Sequence, residues 1–340
     1  MPIRGVVLKE DDMYVVTGGT GFIGSNIIAQ LETKGMGPIV VIDRLRETNK
    51  WRNISKRNIF DIVPPESTFE FLNSAQTEIK ALIHMGAVSS TTETDADFLY
   101  KTNFQLSTSL WNWCTVSKKP FIYASSAATY GDGSLGFDDN NSFEFLRRLT
   151  PLNAYAWTKH QFDLRVAEII LDNGPRPPQW AGLKFFNVYG PNEYHKGKMA
   201  SIASKAYSFA TEDKSFQLFK SHNSSYKDGG QLRDFVWVED CVDIVLWILG
   251  NSRVNGIFNC GSGKARSFLS FVDAVYKTLG KKTLVDFVDT PFEIRENYQY
   301  FTEAKMVKLR NAGYSKPMTE LEVGVERYII NYLNTNDPFC

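Results

Sequence analysis

Cysteine is scarce in this 340-residue sequence, which carries only Cys114, Cys241, Cys260 and Cys340. No two of them form a C-x-x-C pair, and none stands at zinc-finger spacing from a histidine. The pattern therefore favours buried free thiols in a reducing compartment over a disulfide framework, and it predicts no metal site.

Net charge and long apolar runs are also missing. Lysine plus arginine and aspartate plus glutamate number 38 each, so there is no bulk basic field for nucleic acid or an anionic membrane surface. No run approaches the roughly 20 apolar residues that cross a bilayer, and residues 1–12 are too polar for a signal peptide. We expect a cytoplasmic protein with neither a nucleic-acid nor a membrane partner.

Short apolar runs alternate with helical patterns through the first half of the chain. Apolar residues recur at helical spacing in Phe22–Thr33 and Asp95–Val116. The runs typical of buried strands are Met13–Thr17, Ile39–Asp43, Ala81–His84, Phe121–Ser125 and Leu183–Phe186. This alternation predicts an α/β fold of the Rossmann type, a doubly wound parallel sheet with helices on both faces.

From about residue 187 onwards the pattern changes to loops and shorter elements. The polar segment Ser221–Gln231 predicts a loop, Ile257–Cys260 resembles a strand, and helical spacing returns at Val238–Leu249, Phe268–Leu279 and Leu321–Leu333. We predict a polar extension over residues 1–12 and a dinucleotide-binding domain over 13–187, with returning segments at about 235–262. Residues 188–234 and 263–335 are expected to form a smaller, interleaved C-terminal substrate lobe.

A glycine-rich motif follows the first predicted strand directly. Gly18, Gly21 and Gly24 form a G-x-x-G-x-x-G pattern at the start of a helical segment, where a pyrophosphate could meet free N–H groups. Asp43 ends the next strand, where an acid meets the adenosine ribose. Basic residues that could neutralise a 2′-phosphate follow at Arg44, Arg46, Lys50 and Arg52. We predict NADP as cofactor, with NAD as the alternative.

Tyr155 and Lys159 form a Y-x-x-x-K pair in the helical segment Asn153–Leu171. This spacing places both side chains on one helix face, where the ammonium should lower the pKa of the phenol from about 10. Tyr155 is then a general base for a sugar hydroxyl. Ser126, at the carboxyl end of the strand Phe121–Ser125, is expected to hydrogen-bond the same hydroxyl.

Other catalytic patterns are weaker. A second Y-x-x-x-K pair, Tyr194 and Lys198, lies in a Gly/Pro-rich segment without a predicted helix. The run Gly261–Lys264 resembles a phosphate-binding loop but lacks the first glycine of that motif. The sequence contains neither G-x-S-x-G nor H-E-x-x-H, which argues against hydrolase and zinc-peptidase chemistry.

Several motifs together resemble the extended short-chain dehydrogenases that act on nucleotide sugars. They are TGGTGFIG at Thr17–Gly24, SSAATYG at Ser125–Gly131, the Tyr155–Lys159 pair and FNVYGP at Phe186–Pro191. Within that family, the ADP-L-glycero-D-manno-heptose 6-epimerases are resembled by SSTTE at Ser89–Glu93, HKG at His195–Gly197, MAS at Met199–Ser201, RDFV at Arg233–Val236, and Tyr298 with Phe301–Thr302.

The resemblance implies an activity and a mechanism. C6 of an ADP-linked heptose is oxidised to a ketone by bound NADP, and the hydride then returns to the opposite face. Such an epimerase supplies heptose for the lipopolysaccharide core. The resemblance also implies a homo-oligomer whose partner is a nucleotide sugar.

The resemblance further implies roles for particular residues. Lys196 matches a second acid/base group and also a cofactor contact, and Arg233 matches a residue that holds a substrate phosphate, with an ion pair to Asp234 or Asp240 as the alternative. The other implied cofactor contacts are Phe22, Ile23, Met85, Gly86, Ala87, Val88, Ser89, Thr102, Asn103, Lys159 and Val188. The implied substrate contacts are Ser89, Ser126, Asn187, Lys198, Lys205, Phe219, Lys220, Ser221, His222, Arg233 and Tyr298.

The sequence departs from the 6-epimerase pattern at some of these positions. Met85 replaces a usual glutamate, and Lys198 and Lys205 replace small or polar residues. The stretch Phe219–His222 reads FKSH in place of FEGS, and the insertion Asn223–Gln231 follows it. These changes do not affect the residues of the hydride chemistry, but they leave the identity of the sugar undecided.

Two alternatives therefore stay open. A nucleotide-sugar 4-epimerase uses the same Ser, Tyr and Lys set, whereas a 4,6-dehydratase would need an Asp-Glu pair where Ala127-Ala128 stands. A protein of another class, a dinucleotide sensor without catalysis, need not keep Tyr155 and Lys159. Both residues are present, which favours an enzyme.

Overall fold

The computed structural model describes residues 12–46, 49–295 and 298–340, except for the side chains of Lys198, Glu293 and Ile294. The strands are β1 (Met13–Thr17), β2 (Ile39–Ile42), β3 (Asp61–Val63), β4 (Ile79–His84), β5 (Phe121–Ser126), β6 (Trp180–Phe185), β7 (Asn187–Tyr189), β8 (Phe216–Phe219), β9 (Leu232–Trp237), β10 (Gly256–Cys260), β11 (Ala265–Ser267) and β12 (Val285–Val288). Seven of them form the main sheet in the order β10-β6-β5-β4-β1-β2-β3.

Every neighbouring pair in the main sheet is parallel. The order reverses between β1 and β4, and a crevice outside their carboxyl ends is where doubly wound folds bind dinucleotides. The predicted fold class is therefore confirmed. The five predicted strands are present, with ends that differ by no more than three residues. β3 was not predicted, because it has only three residues, of which only Val63 is buried, and so it gives no apolar run.

The helices are α1 (Phe22–Thr33), α2 (Thr68–Ser74), α3 (Ala96–Leu99), α4 (Leu106–Ser117), α5 (Phe143–Leu146), α6 (Ala154–Leu171), α7 (Ile202–Thr211), α8 (Val238–Leu249), α9 (Phe268–Thr278), α10 (Phe292–Arg295), α11 (Val307–Asn311) and α12 (Leu321–Tyr328). α1 and α8 have the predicted limits. The predicted helix Asp95–Val116 is interrupted, because the π-helical turn Tyr100–Gln105 joins α3 to α4. A second π-helical turn, Ile329–Leu333, extends α12.

Two smaller sheets belong to the second half of the chain. β9 pairs with β7 in parallel and with β11 in antiparallel orientation, and β8 pairs with β12 in parallel. β7 was not predicted as separate: the chain leaves the main sheet after Phe185 and starts a new sheet at Asn187. The predicted loop Ser221–Gln231 is made of turns and bends, as expected.

The buried apolar side chains form two clusters. The larger surrounds the main sheet, and the smaller contains Tyr189, Trp237 and Phe271 among the helices α7, α9 and α12. Residues 304–314 lie within the predicted second lobe, yet Ala304 and Leu309 pack into the larger cluster. This exchange of segments supports an interleaved arrangement, while the domain limits themselves stay a prediction.

In the part of the chain that the structure describes, no helix combines the length and the apolar character needed to span a membrane. Over the same residues, no group of three or more histidine, cysteine, aspartate or glutamate side chains is arranged to hold a metal ion. The four cysteines are free thiols, and Cys114, Cys241 and Cys260 are buried.

Candidate active site

The glycine loop after β1 lies against the loop after β4. A Cβ atom at Gly18, whose φ is +65°, would lie 2.5 Å from the backbone nitrogen of Gly86, and one at Gly24 would lie 2.3 Å from the carbonyl oxygen of Gly18. Only glycine fits these positions. Gly21 precedes α1 without a capping side chain, and the first turn of α1 has no acidic residue. The helix N–H groups and dipole therefore suit an anion such as a pyrophosphate.

Asp43 follows β2 and is already hydrogen-bonded within the protein. Its Oδ2 accepts bonds from the backbone nitrogen (3.0 Å) and the hydroxyl (2.6 Å) of Thr20. Its Oδ1 accepts bonds from the backbone nitrogen of Arg44 and from the Lys50 ammonium, both at 2.7 Å. The Arg44 side chain forms an exposed ion pair with Glu66. Lys50 thus neutralises Asp43 beside the glycine loop.

The loop after β4 contains the predicted cofactor residues Met85–Ser89. The buried Asn103 accepts a hydrogen bond from the nitrogen of Val88 (2.9 Å) and donates to the Val88 carbonyl (3.0 Å) and the Thr158 hydroxyl (3.2 Å). These bonds use both N–H donors of its amide, so Asn103 fixes this loop. Thr102 donates its hydroxyl to a carbonyl of its own helix, that of Phe98.

Three of the four predicted catalytic residues, Ser126, Tyr155 and Lys159, meet at the carboxyl end of β5. Tyr155 and Lys159 lie in the first turns of α6, which begins after Asn153 because the Asn153 side chain accepts the N–H of Ala156. The side chain of Ser126 lies beside the Tyr155 phenol and lowers its pKa as a hydrogen-bonding neighbour. The Lys159 ammonium donates to the carbonyl oxygen of Ala124 at 2.8 Å.

The expected lowering of the Tyr155 pKa is wrong for the protein alone. Burial raises the pKa of the phenol, and the hydrogen bond to Ser126 opposes this only in part. Burial also lowers the pKa of Lys159 to about 8, against the charge of Asp163. Because the Lys159 ammonium is directed at Ala124, it does not offset the desolvation of the phenol.

A buried ion pair lies behind the end of β5, and no sequence motif indicates it. The ammonium of Lys184 is 2.7 Å from Oδ2 of Asp163, and both side chains are fully buried. Asp163 also accepts hydrogen bonds from the hydroxyls of Ser125 (2.7 Å) and Tyr123 (3.1 Å). Lys184 also donates to the hydroxyl of Thr129 at 2.6 Å.

His84 ends β4 and is neutral. Its Nδ1 lies 2.6 Å from the Thr17 hydroxyl, and its Nε2 lies 2.9 Å from the Ser107 hydroxyl. Burial, together with the charge of Lys159, lowers the pKa of His84 to about 3. The imidazole therefore links β1 to α4 without titrating near neutral pH.

Glu193 anchors the segment that carries Lys196. Its buried carboxylate accepts hydrogen bonds from the backbone nitrogen and the hydroxyl of Ser201, and from the Tyr328 hydroxyl at 3.0 Å. Between Glu193 and Ser201 the chain forms 3-10 helical turns, Tyr194–Met199, that are kinked at Gly197, although no helix is predicted there. No sequence motif singled out Glu193.

This anchoring brings Lys196 to the start of α1. The Lys196 ammonium lies 5.5 Å from the centre of the Phe22 ring, beside the glycine loop. Burial lowers the pKa of Lys196, the charge of Glu193 raises it, and Lys205 lowers it further. Lys205 therefore lies close to Lys196, whereas the side chain of Lys198 is outside the described atoms.

Arg233 lies in β9 between two aromatic rings. Its guanidinium carbon is 5.5 Å from the centre of the Phe268 ring and 5.6 Å from that of Tyr298. Its Nη1 donates to the Leu232 carbonyl at 2.8 Å. Among the described residues no carboxylate pairs with this largely buried cation.

The alternative of an ion pair to Asp234 or Asp240 is therefore wrong. Asp234 instead accepts the backbone N–H groups of Ser262 (2.6 Å), Gly263 (2.9 Å) and Ala304 (2.9 Å). The loop Gly261–Lys264 is thus an anion cradle filled by the protein's own carboxylate, which explains its likeness to a phosphate loop. Asp240 accepts both the N–H and the hydroxyl of Thr319.

The end of β8 carries several predicted substrate contacts. The Phe219 ring lies 6.2 Å from that of Tyr298. Lys220 forms an ion pair with Asp289 at 3.3 Å. The backbone nitrogens of Ser221 and His222 donate to Asp228 and to the Tyr300 hydroxyl, both at 2.8 Å. The structure thus groups Phe219 and Tyr298 beside Arg233, while Lys220 pairs at the surface and Asn187, in β7, is exposed.

Residues 14–261 match the NAD dependent epimerase/dehydratase family, and the chain belongs to that family. A protein of Fusobacterium nucleatum subsp. nucleatum, named ADP-L-glycero-D-manno-heptose-6-epimerase, is 46% identical over 335 residues, covering 96% of this chain and 100% of that protein. The Helicobacter pylori ADP-L-glycero-D-manno-heptose-6-epimerase structure has a TM-score of 0.76 at 26% identity, covering 95% of this chain and 96% of that one.

The same fold also occurs in an enzyme that is named for a different sugar position. A UDP-N-acetylglucosamine 4-epimerase from Methanobrevibacter ruminantium M1, in complex with UDP-N-acetylmuramic acid, has a TM-score of 0.77 at 21% identity, covering 94% of this chain and 97% of that one. At that identity the likeness concerns the fold alone. The resemblance found in the sequence is confirmed at the level of the family, whose description names NAD as the cofactor.

Proposed function

We propose that the protein is an isomerase that inverts C6 of ADP-D-glycero-D-manno-heptose to give ADP-L-glycero-D-manno-heptose. In this proposal it acts as a homo-oligomer in the cytoplasm and supplies heptose for the lipopolysaccharide core. The observation that carries the proposal is the meeting of Ser126, Tyr155 and Lys159 at the end of β5. The likeness to the Fusobacterium nucleatum enzyme over nearly the whole chain supports the choice of sugar.

The proposed route is transient oxidation, because C6 is not an acidic carbon. A nicotinamide dinucleotide held by the glycine loop would supply the hydride acceptor for the oxidation and the hydride donor for the reduction at the opposite face. Tyr155, as phenolate, accepts the proton of the C6 hydroxyl, and loses it to solvent before the next turnover. Ser126 hydrogen-bonds the same oxygen. The Lys159 ammonium would stabilise the phenolate once it turns from the Ala124 carbonyl towards Tyr155.

Lys196 is the proposed second acid/base group. Once the ketone has rotated in the site, its oxygen points away from Tyr155. Its reduction therefore needs a proton donor at another place. Lys196 lies beside the start of α1, and burial lowers the pKa of its ammonium. A lowered pKa eases transfer of the proton to the developing alkoxide.

NADP is the proposed cofactor. The cradle that Gly18 and Gly24 form fits a pyrophosphate. Thr20 and Lys50 already hold the Asp43 carboxylate, so the repulsion between Asp43 and a ribose 2′-phosphate is reduced. Further proposed cofactor contacts are Phe22, Ile23, Arg44, Met85, Gly86, Ala87, Val88, Ser89, Thr102, Asn103 and Val188.

Arg233 is the proposed partner of the substrate pyrophosphate. A guanidinium buried between Phe268 and Tyr298 without a carboxylate is costly unless an anion joins it. Phe219 and Tyr298 lie beside it and offer aromatic surface to the nucleotide. Further proposed substrate contacts are Ser89, Asn187, Lys198, Lys205, Lys220, Ser221 and His222.

The test follows both C6 epimers by nuclear magnetic resonance after incubation with ADP-D-glycero-D-manno-heptose, and native mass spectrometry identifies the retained dinucleotide. Tyr155→Phe removes only the hydroxyl and should lower kcat about 10²-fold or more. The matched control is Tyr207→Phe on α7, which should keep the parent's kcat.

Three outcomes would contradict the proposal. If Tyr155→Phe is as fast as the parent, the catalytic roles are wrong. If only a C4 position is inverted, the enzyme is a 4-epimerase. If the protein retains dinucleotide and turns over no nucleotide sugar, it is a sensor.

A further inference from the structure

The helix that carries the catalytic residues also carries Asp163. Tyr155, Lys159 and Asp163 follow one another at a four-residue spacing on α6, so they share one helix face. Asp163 meets Lys184 of β6 in a fully buried ion pair. The proposed chemistry uses neither member of this pair.

One hydrogen-bonded route leads from the pair to Ser126, and a second leads to its neighbour Ser125. Lys184 donates to the Thr129 hydroxyl at 2.6 Å, and that hydroxyl donates to the backbone carbonyl of Ser126 at 2.7 Å. Ser125, the neighbour of Ser126 in β5, donates to Asp163 Oδ2 at 2.7 Å. The end of β5 and the turn after it are therefore fastened to α6 and β6 through buried charges.

Stability alone does not account for this pair. β6 is buried along its whole length, and apolar side chains flank Lys184 on both sides. Replacing a buried ion pair by apolar residues of similar size is often neutral or stabilising, because desolvation of the charges is costly. The hydrogen bonds that the pair makes to Thr129 and Ser125 therefore explain its position behind the site better than folding stability does.

Asp163 also faces the catalytic ammonium. Its charge raises the pKa of Lys159, against the effect of burial. The other titratable groups that face it are Lys184, Tyr123, His160 and Tyr130. Burial lowers the pKa of His160 to about 4 and raises that of both tyrosines, so Lys159 and Lys184 are the cations beside it.

We infer that Asp163 and Lys184 are positioning residues: they hold Ser126 in place opposite Tyr155 and keep an anion behind Lys159. The inference rests on the proposed catalytic roles of Ser126, Tyr155 and Lys159. It does not depend on which sugar is the substrate, so any nucleotide sugar that the parent turns over serves for its test.

The first test removes both charges together. The double variant Lys184→Met with Asp163→Asn leaves no uncompensated buried ion, so it is expected to fold with a melting temperature near that of the parent. We expect kcat to fall about tenfold with KM nearly unchanged, because geometry at the reacting centre is lost while substrate contacts remain. The break in the kcat/KM profile that marks the loss of the Lys159 proton should move to lower pH, because Lys159 loses the anion behind it. A merely structural role would not move that break.

The second test keeps both charges. Lys184→Arg preserves the cation and should retain kcat within about threefold of the parent. Thr129→Val cuts the route to Ser126 without altering charge, and should lower kcat while leaving the pH profile in place. Thr278→Val on α9 removes a comparable helix-bonded hydroxyl and is the control. A folded double variant with the parent's kcat and pH profile would overturn the inference. Should the double variant not fold, a parental kcat in Thr129→Val would overturn it instead.

Discussion

Lys159 connects burial to pH at the scale of a single residue. Burial lowers its pKa to about 8, whereas an unperturbed lysine has a pKa of about 10.4. The proposed chemistry needs the Lys159 ammonium together with the Tyr155 phenolate, whose pKa burial raises. kcat/KM should therefore rise with pH up to about 8 and level off above it, because loss of the Lys159 proton then offsets the gain of phenolate.

The measurement is a kcat/KM profile between about pH 6 and 10, set against that of Lys159→Arg. Arginine keeps its charge over this range, so the variant should be slower, but its kcat/KM should go on rising above about pH 8. Below about pH 8 both the folded and the unfolded chain hold the Lys159 proton, so burial of the ammonium destabilises the fold in full. Above that pH only the unfolded chain keeps the proton, and this destabilisation decreases. A parent profile without a break near pH 8 would show that the Lys159 charge is not required.

Lys50 provides a second test at the residue scale, for cofactor choice. It pairs with Asp43, the residue expected at the adenosine ribose, at 2.7 Å. Lys50→Met leaves the Asp43 charge unbalanced, so the ratio of the Kd for NADP to that for NAD should rise about tenfold. Titration with each dinucleotide gives the ratio. Lys56→Met, which removes a lysine that contacts Phe339 and Asp337, should leave the ratio at the parent's value.

At the scale of elements, the sequence predicted local features well and distant contacts poorly. α1 and α8 have a regular apolar spacing, so both helices were predicted. The glycine loop was predicted because its tight backbone conformation requires glycine. Lys184 was hidden, because it lies inside the apolar run Leu183–Phe186 and only its partner on α6 explains it. Asp163, one helical turn after Lys159, was the available signal.

The short strands of the second half were missed for a related reason. β7, β9 and β11 have between three and six residues, and each is stabilised by a neighbour far along the chain. The pKa of Tyr155 was predicted with the wrong sign, because helical spacing shows that Lys159 is near but not that Ala124 accepts its hydrogen bond.

Glu193 joins three elements and should be sensitive to a change of charge. Its carboxylate accepts the N–H and hydroxyl of Ser201 and the hydroxyl of Tyr328, and it supports the charge of Lys196. In Glu193→Gln one acceptor oxygen becomes an NH2 group that faces the donors of Ser201 and Tyr328. We expect this to lower the free energy of unfolding by about 1–3 kcal/mol. Thermal and urea unfolding measure the loss.

Activity should fall with stability in this variant, because the segment that positions Lys196 loses its anchor. Glu212→Gln provides the control, since Glu212 lies at the surface in an ion pair with Lys214. If Glu193→Gln unfolds at the parent's urea midpoint, the carboxylate is not the anchor of this segment.

At the scale of the whole molecule, the proposed site takes residues from elements of both buried clusters. Tyr155 lies on α6, whose Phe162 and Val166 belong to the larger cluster, and Arg233 lies on β9, whose Phe235 packs in the smaller one. The chain passes between them after β6 and again after β9. A substrate held by Arg233 at one end and by Tyr155 at the other would therefore bridge both parts of the fold.

Exposed apolar side chains on α6 and near the π-helical turn Tyr100–Gln105 suit a contact between subunits. Trp157 on α6 is 39% exposed and stacks on Tyr100 of the neighbouring π-helical turn at 5.8 Å, with Phe98 also 37% exposed. A homo-oligomer that covers these helices would elute with a molar mass that is a multiple of 38.6 kDa in size-exclusion chromatography with light scattering. Trp157→Glu should shift that mass towards the monomer, because it places a charge in the contact. Phe292→Glu, on the short helix α10, should leave the assembly intact. A parent that elutes at 38.6 kDa would exclude the assembly.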